Sequence, residues 1–372
     1  MNILLFNYME TTAPGGINKV VNEIAKYMSK NGHDVIVLQP NPLNLQNIEF
    51  YEGFKIIRIN SRFGKYFYDL NVELYFYLKK NLNKLNPDII HLHGYHTLFS
   101  AGVIYSLLRL NSKCRILFSP HFDIFSHDSF AGKYLWNVYN RFIGSNTIKY
   151  PYKIISASNF EFTNIKNILN VPEEQIAIIP HGVNNIDFKY TKSRQNYIKL
   201  LYVGYLLELK GVQHIIKAVH ELVYHRNVNI ILTVIGEGPY ENELRNLAEK
   251  LNVSEFIEWK GFIPPSESQN LLEYYKNSDI FLLLSKSENY GIVVTESLAM
   301  GTPVIVTKKT ALTEFLNEPG CFSVDYPPDS KKVADLILEI YNSGVKIGPF
   351  SNKIRTWDKI CTDYEELYKQ LI

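Results

Sequence analysis

The sequence has few cysteines, and their spacing excludes scaffolds built on cysteine. Only three occur in 372 residues, Cys114, Cys321 and Cys361, an odd number at wide separations. Neither a disulfide framework nor a pair of zinc-binding cysteines follows from such spacing. The sequence therefore predicts a protein of a reducing compartment.

Long hydrophobic runs and a strong net charge are also lacking. No apolar run reaches the length that spans a bilayer, and the chain starts directly with an apolar strand pattern rather than a signal peptide. The net charge is only +2, with 19 Lys and Arg against 14 Asp and Glu in residues 1–190, and 20 against 23 in residues 191–372. We expect a cytoplasmic protein. Its mildly basic first half suits an acidic ligand or an anionic membrane surface, unless the imbalance has no functional meaning.

The sequence does have a regular alternation of strand-like and helix-like segments. The strands of the first half are predicted at 2–6, 34–38, 55–59, 88–93, 115–119, 153–157 and 176–180, and its helices at 17–31, 69–85, 97–111, 133–147 and 159–169. A polar break precedes a second series, with strands predicted at 199–204, 229–235, 256–259, 279–284, 303–307 and 321–324. This pattern predicts an α/β fold of two Rossmann-like domains whose parallel sheets face each other across a cleft. We place the domains at 1–190 and 191–351, followed by an amphipathic helix in 352–372.

Two carboxylates bracket a turn and a helix in the second half. Glu288 lies just before a helix predicted at 292–300, and Glu296 lies inside it, seven residues separating the two. A helix N-terminus leaves N–H groups free for a phosphate or a hydroxyl-rich ligand, and carboxylates accept hydrogen bonds from hydroxyls. The pair is therefore predicted to bind two ends of an elongated polyol, or to be two ordinary surface glutamates.

This stretch resembles the E-x7-E signature of the retaining GT-B glycosyltransferases, especially family 4 (GT4), which uses nucleotide-sugar donors. The matching residues are Glu288, Tyr290, Gly291, Ile292, Glu296, Ser297, Ala299, Gly301, Pro303, Val304 and Ile305. The resemblance implies that Glu288 meets the donor sugar hydroxyls and that Glu296 binds the ribose. It also places Asn289, Tyr290, Gly291 and Ile292 beside the donor, and it implies a terminal helix that packs on the first domain.

Two motifs of the first half resemble sites of the same family. Gly15 and Gly16 follow the first strand, where the family's glycine loop faces the donor diphosphate and the acceptor; a flexible surface turn is the alternative. His121 follows the fifth strand, where ligands of α/β sheets bind, and the resemblance places it beside the transferred sugar. A loop histidine with a structural role is the alternative. Asp123 stands two residues after His121, whereas the family often has an acidic residue one position after.

Three further histidines, His91, His93 and His96, form a cluster in sequence. The alternation of faces along a strand and the apolar setting argue against a metal site. The family commonly has a His-x-His here without metal, and the chain has no Asp-x-Asp, the metal–diphosphate motif of the other glycosyltransferase architecture. We expect no metal and no cofactor, with the nucleotide sugar as co-substrate.

The segment from Gly204 to Gly211 opens the second domain at a strand end. Lys210 is predicted to pair with the donor diphosphate, or to be a solvated lysine at a helix start. Tyr205 stands where the family has Arg, which removes one bidentate phosphate contact. By resemblance, Ile263 borders the nucleotide base; a plain strand-end turn is the alternative.

Residues 62–85 mix aromatic residues with lysines. The pattern is typical of an amphipathic helix at a membrane surface, or of a surface helix with an aromatic core face.

Together these features predict a hexosyltransferase that uses a nucleotide diphosphate sugar, UDP favoured over GDP, and a hydroxyl acceptor such as a lipid-linked or cell-surface glycan precursor. Electrostatic support of the transition state would carry catalysis. We expect no nucleic-acid partner, and peripheral membrane contact through the N-terminal domain. The alternative is a nucleotide-sugar-binding subunit with little activity of its own, an idea motivated by Tyr205.

Overall fold

The computed structural model describes residues 1–13, 15–60, 72–123, 130–184, 196–264, 267–345, 347–348, 350–351 and 353–372. These residues form two compact units, Met1–His181 with Trp357–Ile372, and Gly182–Thr356. The predicted domain limits at 190 and 352 lie outside the described residues, as do 62–71 of the predicted helix at 62–85. None of the described helices is both long and apolar enough to cross a membrane.

A largely parallel sheet forms the centre of the first unit. Its strands are β1 (Asn2–Phe6), β2 (Asp34–Pro40), β3 (Ile48–Tyr51), β4 (Phe54–Ile59), β5 (Ile89–His93), β6 (Arg115–Ser119), β7 (Lys153–Ser156) and β8 (Ile176–Ile178). Their order is β3-β4-β2-β1-β5-β6-β7-β8, and β3 alone pairs antiparallel. Successive residues of β5 are all buried, as expected for a strand covered on both faces.

Helices connect these strands. They are α1 (Gly16–Lys30), α2 (Val72–Leu85), α3 (Leu98–Arg109), α4 (Phe130–Tyr139), α5 (Ser145–Thr147) and α6 (Asn159–Ile168). Leu74, Leu78 and Leu82 of α2 join the core, whereas Phe76 is exposed. The fully buried positions of α2 are therefore leucines, and Tyr77 packs partly buried against the same core, so the predicted aromatic core face is present only in part among the described residues.

Two other expectations for the first unit are corrected. β3 was not predicted, because it is a short edge strand with no fully buried residue and so lacks the apolar run of a central strand. The helix predicted at 133–147 is interrupted by a π-helical turn, Asn140–Gly144, between α4 and α5. The remaining predicted strands and helices of this unit form close to their predicted bounds.

The second unit contains a fully parallel sheet. Its strands are β9 (Ile198–Val203), β10 (Ile230–Ile235), β11 (Ile257–Gly261), β12 (Ile280–Leu283), β13 (Val304–Thr307) and β14 (Cys321–Val324), in the order β11-β10-β9-β12-β13-β14. Its helices are α7 (Val212–His220), α8 (Glu241–Lys250), α9 (Ser268–Asn277), α10 (Ile292–Ala299) and α11 (Ser330–Ser343).

The terminal helix α12 (Trp357–Gln370) belongs to the first unit. It packs along α1, where the Tyr27 and Thr362 hydroxyls lie 2.9 Å apart. Trp357, Ile360 and Tyr364 are buried as their spacing predicts. Tyr368 is buried beside them and reaches the sheet, with its hydroxyl 2.7 Å from His91 Nδ1.

Candidate active site

In the second unit, two loops meet where the strand order of the sheet reverses. β9 lies between β10, its successor in the chain, and β12, so the sheet changes direction beside it. In open α/β sheets, ligands bind outside the carboxyl ends of the strands at such a point. Lys210 follows β9 and Glu288 follows β12, so the sheet topology brings these two predicted donor-binding residues to one place.

A close approach of the two loops pairs these residues. Gly211 has a φ of 81°, and a Cβ atom there would lie 2.0 Å from the Leu284 carbonyl oxygen, so no other residue fits. The N–H of Lys286 donates to the Leu209 carbonyl at 2.7 Å. As a result, Lys210 Nζ lies 2.8 Å from Glu288 Oε2, with 23% and 17% of the side chains exposed. A ligand can reach both charges.

The start of α10 is held rigidly beside this pair. Gly291 precedes the helix with a φ of 86°, and a Cβ atom there would lie 2.4 Å from Leu312 Cδ2. The N–H of Ala311 donates to the Glu288 carbonyl at 3.0 Å. Tyr290 is buried against Phe315, with ring centroids 5.3 Å apart. The predicted donor-side residues Asn289 to Ile292 thus form one fixed corner leading into the helix.

Glu296 lies within α10 and is buried. The hydroxyl of Tyr275, from α9, donates to Glu296 Oε2 at 3.0 Å. Burial and the nearby carboxylate raise the pKa of Tyr275 well above its usual value, so it remains a hydrogen-bond donor. Sequence reasoning missed Tyr275, since nothing in the sequence links α9 to a position 21 residues later.

Tyr205 lies at the carboxyl end of β9 with 48% of its surface exposed. Its backbone carbonyl accepts a hydrogen bond from the buried Tyr202 hydroxyl at 3.1 Å. Burial, with a smaller effect from the Glu288 carboxylate, raises the pKa of Tyr202 above its usual range. Tyr205 therefore lies near the Lys210–Glu288 pair but adds no charge to it.

Ile263 follows β11, two strands away from β9 in the sheet. A backbone hydrogen bond joins the ends of β10 and β11 here: the Gly236 N–H donates to the Gly261 carbonyl at 2.8 Å. The hydrogen bonds that the structure describes connect Ile263 to neither Lys210 nor Glu288. Ile263 borders the same edge of the sheet without joining the charged pair.

In the first unit, His121 belongs to a row of histidine rings. The His91 and His93 rings are tilted against each other with centroids 4.2 Å apart, His93 Nδ1 lies 3.2 Å from His121 Nε2, and the His121 and His181 rings are 5.8 Å apart. The expected separation of the strand histidines onto alternate faces is wrong for His91 and His93, because residues two apart share a face. His96 lies close enough to His121 to help lower the pKa of that ring, and its Nε2 is 3.3 Å from the Tyr8 hydroxyl.

The row is electrically neutral. Burial lowers the pKa of His91 and His181 to about 3. Burial and the neighbouring imidazoles also hold the pKa of His93 and His121 well below the usual value. Within the described residues, no group of three or more His, Cys, Asp or Glu side chains forms a metal site. The rings thus present neutral nitrogen donors and acceptors.

A buried glutamate fixes the backbone after His121. Glu161 of α6 accepts hydrogen bonds from the N–H groups of Phe122 and Ala157, both at 2.7 Å. Burial raises its pKa to about 7, although these N–H groups favour the charged form. The Ser158 hydroxyl caps the helix by accepting from the Glu161 N–H at 3.0 Å. The serine–x–x–glutamate pattern of a helix start could have identified this residue from sequence.

Gly15 and Gly16 lie at the start of α1, after a loop held by buried polar groups. The Arg58 guanidinium pairs with both carboxylate oxygens of Glu10 at 2.8 and 2.9 Å. The Asn18 side chain donates to the Glu10 and Ala13 carbonyls at 2.8 and 2.7 Å. The described part of the loop before the two glycines is thus anchored by buried hydrogen bonds.

Several known proteins are similar to this chain over most of its length. Alpha-monoglucosyldiacylglycerol synthase of Streptococcus pneumoniae is 23% identical over 351 residues, covering 86% of this chain and 74% of the relative. The structure of sucrose-phosphate synthase from Thermosynechococcus elongatus matches with a TM-score of 0.81 at 18% identity, covering 99% and 98% of the two chains. HepE of Anabaena in complex with UDP-glucose matches with a TM-score of 0.71 at 15% identity, covering 99% and 94%.

Two family sequence models together span nearly the whole chain. The one described as Glycosyltransferase Family 4 matches residues 14–185, which carry Gly15, Gly16 and His121. The one described as Glycosyl transferases group 1 matches residues 183–356, which carry Lys210, Glu288 and Glu296. The chain belongs to the group 1, family 4 glycosyltransferases and has their GT-B fold.

Proposed function

We propose that this glycosyltransferase is a retaining, metal-independent hexosyltransferase that uses a UDP-sugar. The observation that carries the proposal is the 2.8 Å pair of Lys210 and Glu288 beside the start of α10. There, a cation and the N–H groups of a helix N-terminus can receive a diphosphate, and a carboxylate can receive sugar hydroxyls.

Each residue of this site has a distinct role in the proposal. Lys210 and the first turn of α10 stabilise the diphosphate as the bond from its oxygen to the anomeric carbon breaks. Glu288 orients the sugar by accepting its hydroxyl hydrogen bonds while the acceptor oxygen bonds to the anomeric carbon and its proton passes to the departing diphosphate oxygen. Glu296, held by Tyr275, binds the ribose hydroxyls. His121 is assigned to the transferred sugar, and Gly15 and Gly16 to the diphosphate and acceptor, on family resemblance.

The donor and acceptor classes are inferred from relatives. HepE, which shares the fold, was solved in complex with UDP and with UDP-glucose, which favours UDP as the carrier here. The synthase of Streptococcus pneumoniae is named for a glycosyldiacylglycerol, which favours a lipid-linked acceptor. We therefore propose a hydroxyl of a lipid-linked or surface-glycan precursor, glycosylated at the cytoplasmic face of a membrane.

A nucleotide-sugar-binding subunit with little transferase activity is the second candidate. Tyr205 favours it, because an exposed phenol at the end of β9 replaces a guanidinium that would bind phosphate bidentately. Hydrolysis of the donor in the absence of acceptor separates the two candidates, since an active transferase releases nucleoside diphosphate slowly and a binding subunit releases none.

The decisive experiment combines donor binding with turnover. Calorimetric titration with UDP, GDP and their hexose derivatives identifies the carrier, and donor hydrolysis is then followed for the wild type and Glu288→Gln. The variant should stay folded and lose most activity, because a neutral amide accepts hydroxyl hydrogen bonds less strongly than a carboxylate. Glu241→Gln, on the exposed helix α8, is the matched control. Near-normal turnover of Glu288→Gln would rule out this active site, and loss of turnover in EDTA would overturn metal independence.

A further inference from the structure

Exposed apolar side chains are distributed unevenly between the two units. Nineteen large apolar side chains of the described residues are exposed, and seventeen of them belong to the first unit. Only Tyr205 and Tyr224 belong to the second unit. Single exposed apolar residues are ordinary, whereas apolar residues grouped on one surface are typical of an interaction site.

Ten of the seventeen lie between Val72 and Tyr152. The helices of this segment contribute their inner faces to one core, through residues such as Leu78 of α2 and Ile104 of α3. Their outer faces carry large apolar side chains among charged and polar ones. We name the outer surface by its six main members, Phe76, Tyr105, Leu108, Tyr134, Leu135 and Phe142, as the helix-layer surface.

The same segment is strongly basic. Residues 72–153 contain ten Lys and Arg but four Asp and Glu. Lys79, Lys80, Arg109 and Arg141 are exposed, and none of the four forms an ion pair within the described part of the chain. The positive charge of this layer is therefore available to an outside partner.

The cations and the aromatic rings are interleaved. The Arg141 guanidinium lies 5.7 Å from the ring centroid of Phe142, and that of Arg109 lies 5.9 Å from the ring centroid of Tyr75. Leu135 and Phe142 are 66% and 63% exposed, so they project beyond the helix backbone. Apolar groups with cations beside them match the boundary between lipid tails and anionic headgroups.

We propose that the helix-layer surface docks this protein on an anionic lipid bilayer. Leu135, Phe142 and Phe76 enter the interface, while Arg109, Arg141, Lys79 and Lys80 pair with lipid phosphates. A second copy of the chain fits this surface less well, because self-association would bring the same unpaired cations together. The proposal concerns docking alone and does not depend on the donor site, so it stands or falls separately from the proposed transfer.

Vesicle flotation of the full chain tests the proposal. Vesicles of phosphatidylcholine mixed with phosphatidylglycerol are compared with phosphatidylcholine alone, at low and high salt. One variant carries Leu135→Ser with Phe142→Ser, and its matched control carries Leu43→Ser with Phe50→Ser, two exposed apolar residues at and before the sheet edge. A second variant carries Arg109→Glu with Arg141→Glu, and its control carries Lys250→Glu with Lys331→Glu in the second unit.

The expected result is binding to the mixed vesicles that weakens at high salt and is small for phosphatidylcholine alone. Each helix-layer variant should lower the partition coefficient at least about tenfold, with unchanged circular dichroism, while the controls bind normally. If the serine variant does not fold, the charge-reversal variant carries the test. Absence of binding, equal binding to both vesicles, or equal losses in the controls would overturn the proposal. So would a dimer in sedimentation that the serine variant converts to a monomer, since the surface would then cover a second copy.

Discussion

Lys210 carries the charge that this site offers to an anion, and its contribution is measurable. Loss of a charge-assisted contact costs about 1.5–3 kcal/mol. Lys210→Ala should therefore weaken UDP binding at least about tenfold, since about 1.4 kcal/mol corresponds to one decade. Lys217→Ala, on the exposed side of the neighbouring α7, is the control. Equal affinities of Lys210→Ala and wild type in calorimetry would place the diphosphate elsewhere.

Tyr205 is one of the positions at which this sequence differs from the family pattern that it resembles. Its side chain is 48% exposed, so a longer guanidinium can occupy the position without displacing the core. Tyr205→Arg should strengthen binding of UDP, because it adds a bidentate phosphate donor near Lys210. Titration of this variant with UDP and with uridine separates the phosphate contribution from the base. If uridine gained as much affinity as UDP, the gain would not come from a phosphate contact of the new guanidinium.

At the scale of elements, the start of α10 depends on one glycine. Gly291→Ala places a Cβ atom against Leu312 at a positive φ, whereas Gly301→Ala, just beyond the end of α10, has a similar φ of 79° and no atom within 4 Å. Both variants bear the backbone strain, but only the first adds crowding, which costs about 1–3 kcal/mol more. Chemical denaturation should show that difference in unfolding free energy. Equal losses of unfolding free energy in the two variants would mean that the turn before α10 shifts to accept the Cβ atom at no extra cost.

At the scale of the whole first unit, the buried histidines make stability depend on pH. His91 and His181, with pKa about 3, stay neutral in the folded state while the unfolded chain takes up protons below about pH 6.5. Stability is therefore lost as pH falls, by about 1.4 kcal/mol per pH unit for each group. Glu161 has the opposite effect on stability between pH 7 and the ordinary pKa of a glutamate, because the folded state holds the Glu161 proton more tightly than the unfolded chain does. Protonation of Glu161 therefore offsets the loss of stability caused by one histidine over that range.

Urea unfolding at pH 7.5, 6 and 5, followed by tryptophan fluorescence, measures this slope. Two of the three tryptophans, Trp136 and Trp357, report on the first unit. His91→Gln should flatten the decline below pH 6.5, whereas His225→Gln, on the exposed surface of the second unit, should not. A wild-type stability that stays constant from pH 7.5 to 5 would contradict the neutral histidine row.

The sequence predicts the sheets of this molecule well and its side-chain pairings poorly, for physical reasons. Strands covered on both faces must be apolar, so β5 and β12 are visible as runs, whereas the edge strand β3 is not. The Lys210–Glu288 pair joins residues 78 apart and depends on backbone contact at Gly211, which no local pattern encodes. The partnership of Tyr275 with Glu296 likewise exists only once α9 packs on α10. The rule that residues two apart on a strand share a face was available for His91 and His93, and its correct use predicts the contact between their rings.

Under the proposed function, the pairing of Lys210 with Glu288 should also make the site discriminate between whole and partial ligands. A free phosphate that takes Lys210 leaves the Glu288 carboxylate without its cation, and a neutral sugar that takes Glu288 leaves Lys210 without its anion. A nucleotide sugar would supply both replacements at once, so we expect its two halves to bind cooperatively and each half alone to bind weakly. The ion pair should therefore favour a ligand that engages both residues over one that engages either alone. Free UDP and free hexose should each compete weakly with the intact donor.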